Sequence, residues 1–316
     1  MNSGLVHPRR FRSGAALMAV LWLIAILAMA CMSTLRVISF DMELASAKVH
    51  GSRARQIAEM GIAVGCNPAV KRSDPILRQL HGESGEGFEV QVLSEGARFN
   101  INSILLQGDK PLLTSIFCNW GLELKDAQSL IDALTDWVDA DDDVGLNGAE
   151  KKDYERAGRV NQPFNRPFYE LGEMRLVRGM DQLEMLRPDW RNWFTVWSDV
   201  ALDLNDASAE LIAAALECTV EQASIIPQTV RGTDDQLDTL DDVRFPNADK
   251  ALESLGITKK DRPDIAKRVF ASSAPTATTR IESIGHAEGA KRKITVILRN
   301  RTGKPALLER TEDIIP

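Results

Sequence analysis

AALMAVLWLIAILAMACMSTL, from Ala15 to Leu35, contains no charged residue. At a helical rise of about 1.5 Å per residue it spans roughly 30 Å, the thickness of a bilayer's hydrocarbon core. Arg9, Arg10 and Arg12 precede it and Arg36 alone follows closely. The positive-inside rule therefore keeps the short N-terminus in the cytoplasm and exports the rest of the chain. Two ordinary readings compete. A cleavable secretory signal has an apolar region of about 7 to 15 residues ending in a small-x-small site; this run is longer, and Ala28-Met29-Ala30 is poorly placed for cutting. A plain signal anchor fits the hydropathy as it stands.

Beyond the span, residues 36–66 lack proline and carry small or apolar side chains at Ala45, Val49, Ala54, Ile57 and Ala58. The spacing predicts one helix from about Ala15 to about Cys66, broken before Pro68, with Gly51 and Gly61 arguing against its being straight. From Gly87 to Leu93, Phe88, Val90 and Val92 alternate with Glu89 and Gln91, the pattern of a half-buried strand. Residues 97–101 are expected to pair with it across Glu95-Gly96. Thr279 to Ile284 and Lys293 to Leu298 read as a hairpin turning through Gly285 to Gly289.

Between these strand regions the pattern is helical. Ala127, Leu130, Ile131, Leu134 and Val138 follow the i, i+3, i+4, i+7 rule. Further helices are expected at 169–178, ended by Gly179; at 206–216 after Asn205; at 220–230, with Thr219 and Gln222 as a capping box; and at 259–270 after Thr258. The fold predicted is α+β: a long N-terminal helix packed on a small antiparallel sheet, with a large all-α domain inserted between sheet strands. The boundaries read as an anchor at 15–35, an α/β unit from 67–110 and 268–316, and a helical insert at 111–267.

The helix ending near Trp137 runs into Asp139-Ala-Asp141-Asp142-Asp143-Val-Gly145-Leu-Asn147-Gly148-Ala-Glu150. Counted from Asp139, acids fall at positions 1, 3, 5 and 12, the spacing with which an EF-hand loop wraps oxygen ligands around calcium. Val144 stands where that loop needs its turning glycine, so this is not a true EF-hand. The competing reading is a solvated acidic loop. Against it, four aspartates within five residues repel one another and need compensation if the loop is ordered. Calcium suits such a cluster better than magnesium, which retains its waters.

Hydrophobic residues make up 44% of the 316-residue chain and charged ones 26%, an ordinary globular composition. All 45 acidic residues lie beyond Gly14, whereas three of the 38 basic ones precede it. The acidic body repels phosphate backbones, which argues against nucleic acid as a partner. Cys31, Cys66, Cys118 and Cys218 show no CxxC spacing and lie apart from the histidines, so zinc is excluded. Three of them fall outside the apolar span, enough for one disulfide. No GxSxG, HExxH, P-loop or strand–GxGxxG–helix motif occurs, and His7, His50, His81 and His286 are scattered. The chain is read as non-enzymatic. An anchored exported hydrolase is one alternative. A helix-hairpin-helix DNA-binding module is another, opposed by the charge and by Glu217-Cys218-Thr219 in place of the hairpin glycines.

Several of these stretches resemble one family. Arg12-Ser13-Gly14 before the apolar run resembles the signal of type IV prepilins and pseudopilins, cut after the glycine on the cytoplasmic side. Asp136-Trp137-Val-Asp139-Ala-Asp141-Asp142, then Gly148-Ala149-Glu150 and Asp153-Tyr154, resembles the signature of K-type minor pseudopilins of the type II secretion system. Phe99-Asn100-Ile101-Asn102 and Leu204-Asn205-Asp206-Ala207-Ser208 through Leu216 agree in order. The resemblance implies a leader at 1–14 removed by prepilin peptidase, leaving Ala15 as a methylated N-terminus. It implies a single-pass inner-membrane protein with a periplasmic head, and other minor pseudopilins as partners. Calcium is the cofactor it implies, with Asp139, Asp141, Asp143 and Glu150 as ligands and Asp153 and Asn147 as weaker ones. One departure bears on position. The family's glutamate at the fifth mature residue is Ala19 here; that carboxylate pairs in lipid with a neighbour's N-terminal amine. Its absence resembles the subunit thought to cap the filament tip and support protein export.

Overall fold

The computed structural model describes residues 13–82, 85–199, 201–274 and 276–315. The expected leader and its arginines lie outside them, apart from Ser13 and Gly14, which begin the first helix. That helix, α1 (Ser13–Cys66), is uninterrupted. Residues 16–49 are exposed along its length, and this stretch is long and apolar enough to cross a membrane.

The last turns of α1 pack on a five-stranded antiparallel sheet. Its strands are β1 (Arg78–His81), β2 (Glu86–Ser94), β7 (Thr278–Ala287), β8 (Ala290–Arg299) and β9 (Ala306–Ile315), in the order β1-β2-β7-β8-β9. The face towards α1 carries Phe88, Val90, Val92, Ile281, Ile294, Val296 and Leu298, which close over Ala58 and Ile62. Gly51 and Gly61 lie within the uninterrupted helix and let it sit close. A Cβ at Gly61 would meet Ser283 Oγ at 2.2 Å, and one at Gly65 would meet Ile281 at 2.6 Å. Across the interface Gly285 of β7 leaves room for the α1 backbone itself, 2.0 Å from its would-be Cβ at Ala54 O. β9 is tied to α1 by ion pairs Arg55–Glu312, at 2.8 Å, and Arg310–Glu59. At the end of α1, the Arg301 guanidinium donates to the carbonyls of Gly65, Asn67 and Val70 at 2.8–2.9 Å. Gly65 O is one of the acceptors left over where the helix ends, and Asn67 O also takes the Val70 N–H in the turn that follows.

The chain leaves the sheet after Ser94 and returns at Thr279, and these two residues are paired across β2 and β7. Between them stands a unit with its own core. It comprises β3 (Phe99–Asn100), α2 (Ile101–Gln107), α3 (Lys110–Asn119), α4 (Leu124–Val138), α5 (Lys151–Arg156), α6 (Met180–Leu186), β4 (Phe194–Thr195) and β5 (Leu202–Asp203). Then follow α7 (Ala209–Leu216), α8 (Val220–Ala223), α9 (Ile225–Val230), α10 (Ala248–Ser254), α11 (Pro263–Ala266) and β6 (Val269–Phe270). Its core includes Phe117, Leu134, Trp137, Trp190, Phe194 and Ile212.

Several expectations are corrected here. Residues 99–100 pair in parallel with β4 rather than with β2, because Phe99 belongs to the helical core. That core takes in Ile101, Ile104 and Leu105, ahead of Pro111. The helix expected at 169–178 is a 3-10 segment, Leu171–Leu176, and Gly179, at φ 93°, opens α6 instead of closing a helix. Thr219 accepts from Gln222 N, but the Gln222 amide donates to Leu255 O, so the capping box is half formed. The helix expected at 259–270 shortens to α11 because Val269 and Phe270 pair with β5.

At the exit from β2, Glu95 is wholly buried, its carboxylate 3.8 Å from Arg280 and without a hydrogen-bond donor. Burial, opposed by Arg280, raises its pKa from 4.5 to about 7. Between those values the unfolded chain has lost this proton while the folded protein keeps it, so stability falls as pH rises through the window and levels above it. Glu95→Gln is expected to remove that dependence and to melt above the wild type at pH 8, by an amount on the order of 2–3 kcal/mol. Parallel melting curves from pH 5 to 8 check this; identical slopes for the two proteins would refute it.

Candidate metal centre

The acidic loop leaves α4 at Asp139 and reaches α5 at Glu150. Its anchor is Asp136, 3% exposed on the last turn of α4, whose carboxylate accepts from Gly145 N at 3.1 Å. A Cβ at Gly148 would lie 1.8 Å from Asp136 Oδ2, and one at Gly145 2.8 Å from Oδ1. The two glycines therefore make room for this carboxylate and do not serve as an EF-hand turn. From outside, the Arg178 guanidinium donates to the carbonyls of Asn147 and Gly148 at 2.6 Å. Trp137, fully buried, packs edge-on against Tyr154 and Phe164 and stacks on Phe168.

Within this frame, Asp139, Asp141, Asp143 and Glu150 come into one another's field. Burial first, then Asp141, Asp136 and Asp143, push the Asp139 pKa up to about 6. Burial first, with Asp136, Asp139 and Asp142 adding to it, pushes Glu150 up to about 7. Asp139 Oδ1 and Glu150 Oε1 are buried and have no donor. Glu150, 2% exposed, uses its other oxygen on Lys151 N. Crowded acids with unpartnered oxygens disfavour their charged forms.

Asn147 and Asp153 face other partners. The Asn147 amide donates to Asp132 at 3.3 Å, and Asp153 accepts from Glu150 N, completing a reciprocal cap on α5. Among the described residues, no three His, Cys, Asp or Glu side chains are gathered tightly enough to share one metal ion. The expected ligand set of Asp139, Asp141, Asp143 and Glu150 is therefore not gathered as one; Asp139 and Glu150 are the two whose unpartnered oxygens would be available to calcium, and the remaining oxygens would have to come from neutral groups and water.

The other motifs are structural. Asn100 caps α2 through Ser103 N, and Asn102 holds Phe168 by two hydrogen bonds, at 3.0 and 2.8 Å. Asn205 holds Phe245 and Ser272 together. Asp206, although burial opposes it, is kept below the usual carboxylate range by Arg72 and Arg244. Sequence reasoning passed over Asp136 as an anchor, although its place one residue before Trp137 on the buried face of α4 is a readable signal.

A family model described as type II secretion system (T2SS), protein K, matches residues 97–188, which contain this loop. Over that stretch the chain is similar to type II secretion system protein K. It is 29% identical to the type II secretion system protein K of Pseudomonas aeruginosa over 46% of this chain and 44% of that protein. To the Klebsiella pneumoniae protein K it is 36% identical over 27% of this chain and 29% of that one. The matched stretch thus spans less than half the length of these relatives. In fold, it is similar to a chain in the crystal structure of the GspK-GspI-GspJ complex from the enterotoxigenic Escherichia coli type 2 secretion system. The TM-score is 0.56 at 13% identity, covering 88% of this chain and 99% of that one.

Proposed function

We propose that this chain is a protein K of the type II secretion system: a non-enzymatic minor pseudopilin that caps the tip of the secretion pseudopilus and supports protein export. The observation that carries the reading is the extent of the fold likeness. One chain, found in a complex of GspK with GspI and GspJ, is similar in fold over 88% of this chain. By that likeness the partners are other minor pseudopilins. α1 holds the protein in the inner membrane, with residues 1–14 cytoplasmic until prepilin peptidase cuts before Ala15, and the head periplasmic. Two features favour the tip. Ala19 offers no carboxylate to a subunit ahead of it, and an insert with its own core adds bulk that a closely packed shaft would exclude.

Calcium, held by Asp139 and Glu150 with the loop's other acids around them, would neutralise the crowded carboxylates and fix the loop on α4. The test of the assembly reading is purification of the full chain from its native membranes, followed by N-terminal sequencing. The expected result is a chain starting at Ala15 that elutes with other pseudopilins in one complex. A chain that starts at Met1 or after residue 30 and elutes alone would overturn it.

A further inference from the structure

The insert joins the sheet unit at two crossings, Ser94 to Glu95 and Ala277 to Thr278. Each unit keeps its own apolar core. Trp137, Trp190 and Phe194 lie in one, Phe88, Val92 and Ile281 in the other, and no residue belongs to both. Units joined in this way turn relative to one another unless a large apolar interface or specific contacts prevent it. Among the described residues, the hydrogen bonds and ion pairs that tie the insert to the sheet unit away from the crossings are those of Arg72 and one from Trp197 Nε1 to Glu309 Oε2 at 2.5 Å. Nor is the junction filled. A cavity of about 450 Å³ opens there, with Val92, Thr279 and Arg301 on one side and Asp206, Asp242 and Arg244 on the other.

Arg72 spans this junction from a rigid post. It belongs to the segment between α1 and β1, where Val70 and Leu77 are buried in the core of the sheet unit. Arg301 holds the carbonyls of Asn67 and Val70 at 2.8–2.9 Å, and Asp74 caps the turn that follows through Ile76 N. The Arg72 guanidinium then reaches across to the insert, placing Nη1 2.8 Å from Asp206 and Nε 2.8 Å from Asp238. The receiving end is fixed as well. The Asp206 carboxylate, 2% exposed, also accepts from Arg244 at 3.1 Å and from Ser94 N at 3.2 Å. Asp238 is held through its own N–H, which donates to Asp242 at 2.7 Å. A carboxylate buried as deeply as that of Asp206 is costly unless paired, and the pairing admits few geometries.

We infer that Arg72 is the latch of a hinge: the two crossings let the insert turn on the sheet unit, and the pairing of Arg72 with Asp206 and Asp238 holds it at one angle. The cavity beside the latch is the space into which the insert would otherwise close. Arg244 does not share the role. It lies in the insert with Asp206, so their pair ties the insert to itself. Because α1 runs unbroken from the apolar span to the sheet, this one contact sets how the insert is carried relative to the anchor.

The test is pulsed electron spin resonance on the full chain in detergent, with spin labels on encoded keto amino acids at Met185 of α6 and Lys291 of β8, both exposed. A second pair, at Met185 and Glu221, reports on the insert alone. Wild type, Arg72→Met, Asp206→Asn and Arg244→Met are compared. The expected result is a single narrow Met185–Lys291 distance in wild type and Arg244→Met, and a broadened or displaced one in Arg72→Met and Asp206→Asn. The Met185–Glu221 distance is expected to stay the same in all four, which shows that the insert is folded. A wild-type Met185–Lys291 distribution in Arg72→Met overturns the inference, as does a broad one in wild type itself. Equal broadening in Arg244→Met overturns it too, because the network would then shape the insert and not its angle. If Met185–Glu221 also moves in Arg72→Met, Arg72 supports the fold of the insert and is not a latch.

Discussion

Gly285→Ala is expected to be among the most destabilising single substitutions in the head. The added Cβ would sit 2.0 Å from Ala54 O and 2.5 Å from Ala58 N. Both are backbone atoms of α1, so no side chain can swing aside, and the helix must lift from the sheet. Overpacking of a core costs typically about 1–3 kcal/mol, occasionally more; with no flexible neighbour to yield, the upper end of that range applies. The comparison is Gly61→Ala, whose Cβ meets the Ser283 side chain first, at 2.2 Å. Chemical denaturation of the two variants is expected to place Gly285→Ala below Gly61→Ala and both below wild type. A Gly285→Ala midpoint equal to that of wild type would mean that the helix does not lie on the sheet at this distance.

Arg301→Ala is the second large effect. Arg301 is 9% exposed and lies 231 to 236 residues from the three carbonyls it serves. Removing it leaves Gly65 O and Val70 O without donors in a buried place, while Asn67 O keeps the Val70 N–H, and each buried unsatisfied group costs about 1–3 kcal/mol. Water entering the cleft offsets part of this, so a loss on the order of 3 kcal/mol is expected. Arg301→Lys should recover little, because a single ammonium cannot reproduce the fork that reaches three carbonyls. Thermal melting of both variants decides the matter: a lysine variant as stable as wild type would show that charge, and not the fork, is what α1 requires.

How much of this was legible beforehand depends on how local the cause is. α1 could be read because a proline-free run with small residues at helical spacing is a local signal. So could β2 and the β7–β8 hairpin, where Glu288 and Gly289 make the turn with φ 47° and 82°. β9 went unread. Ala306–Ile315 is an edge strand, largely exposed, and its sequence shows no clean alternation. What holds it is its register on β8 and the ion pairs to Arg55 and Glu59, about 250 positions away. The acids of the loop were visible because carboxylates at alternate positions form a pattern. Asn165, whose amide donates to Asp141 O and Asp142 Oδ1, was not, because one neutral amide in a loop has no spacing to betray it. The aromatic residues Phe164, Phe168 and Tyr169 were the available hint that this stretch packs against something.

The pairing of Ser94 with Thr279 has a consequence for ancestry. β2 and β7 are the two arms of one hairpin, and everything between them occupies the place of its turn. If the insert were excised and a turn joined Ser94 to Thr278, every rung of the sheet would keep its partner. Because closing a longer loop adds entropy cost only logarithmically, the guest can grow or shrink over generations while its host strands stay in register. The head is thus a sheet scaffold carrying a passenger with its own core, and the passenger can change length without disturbing the strands that hold it.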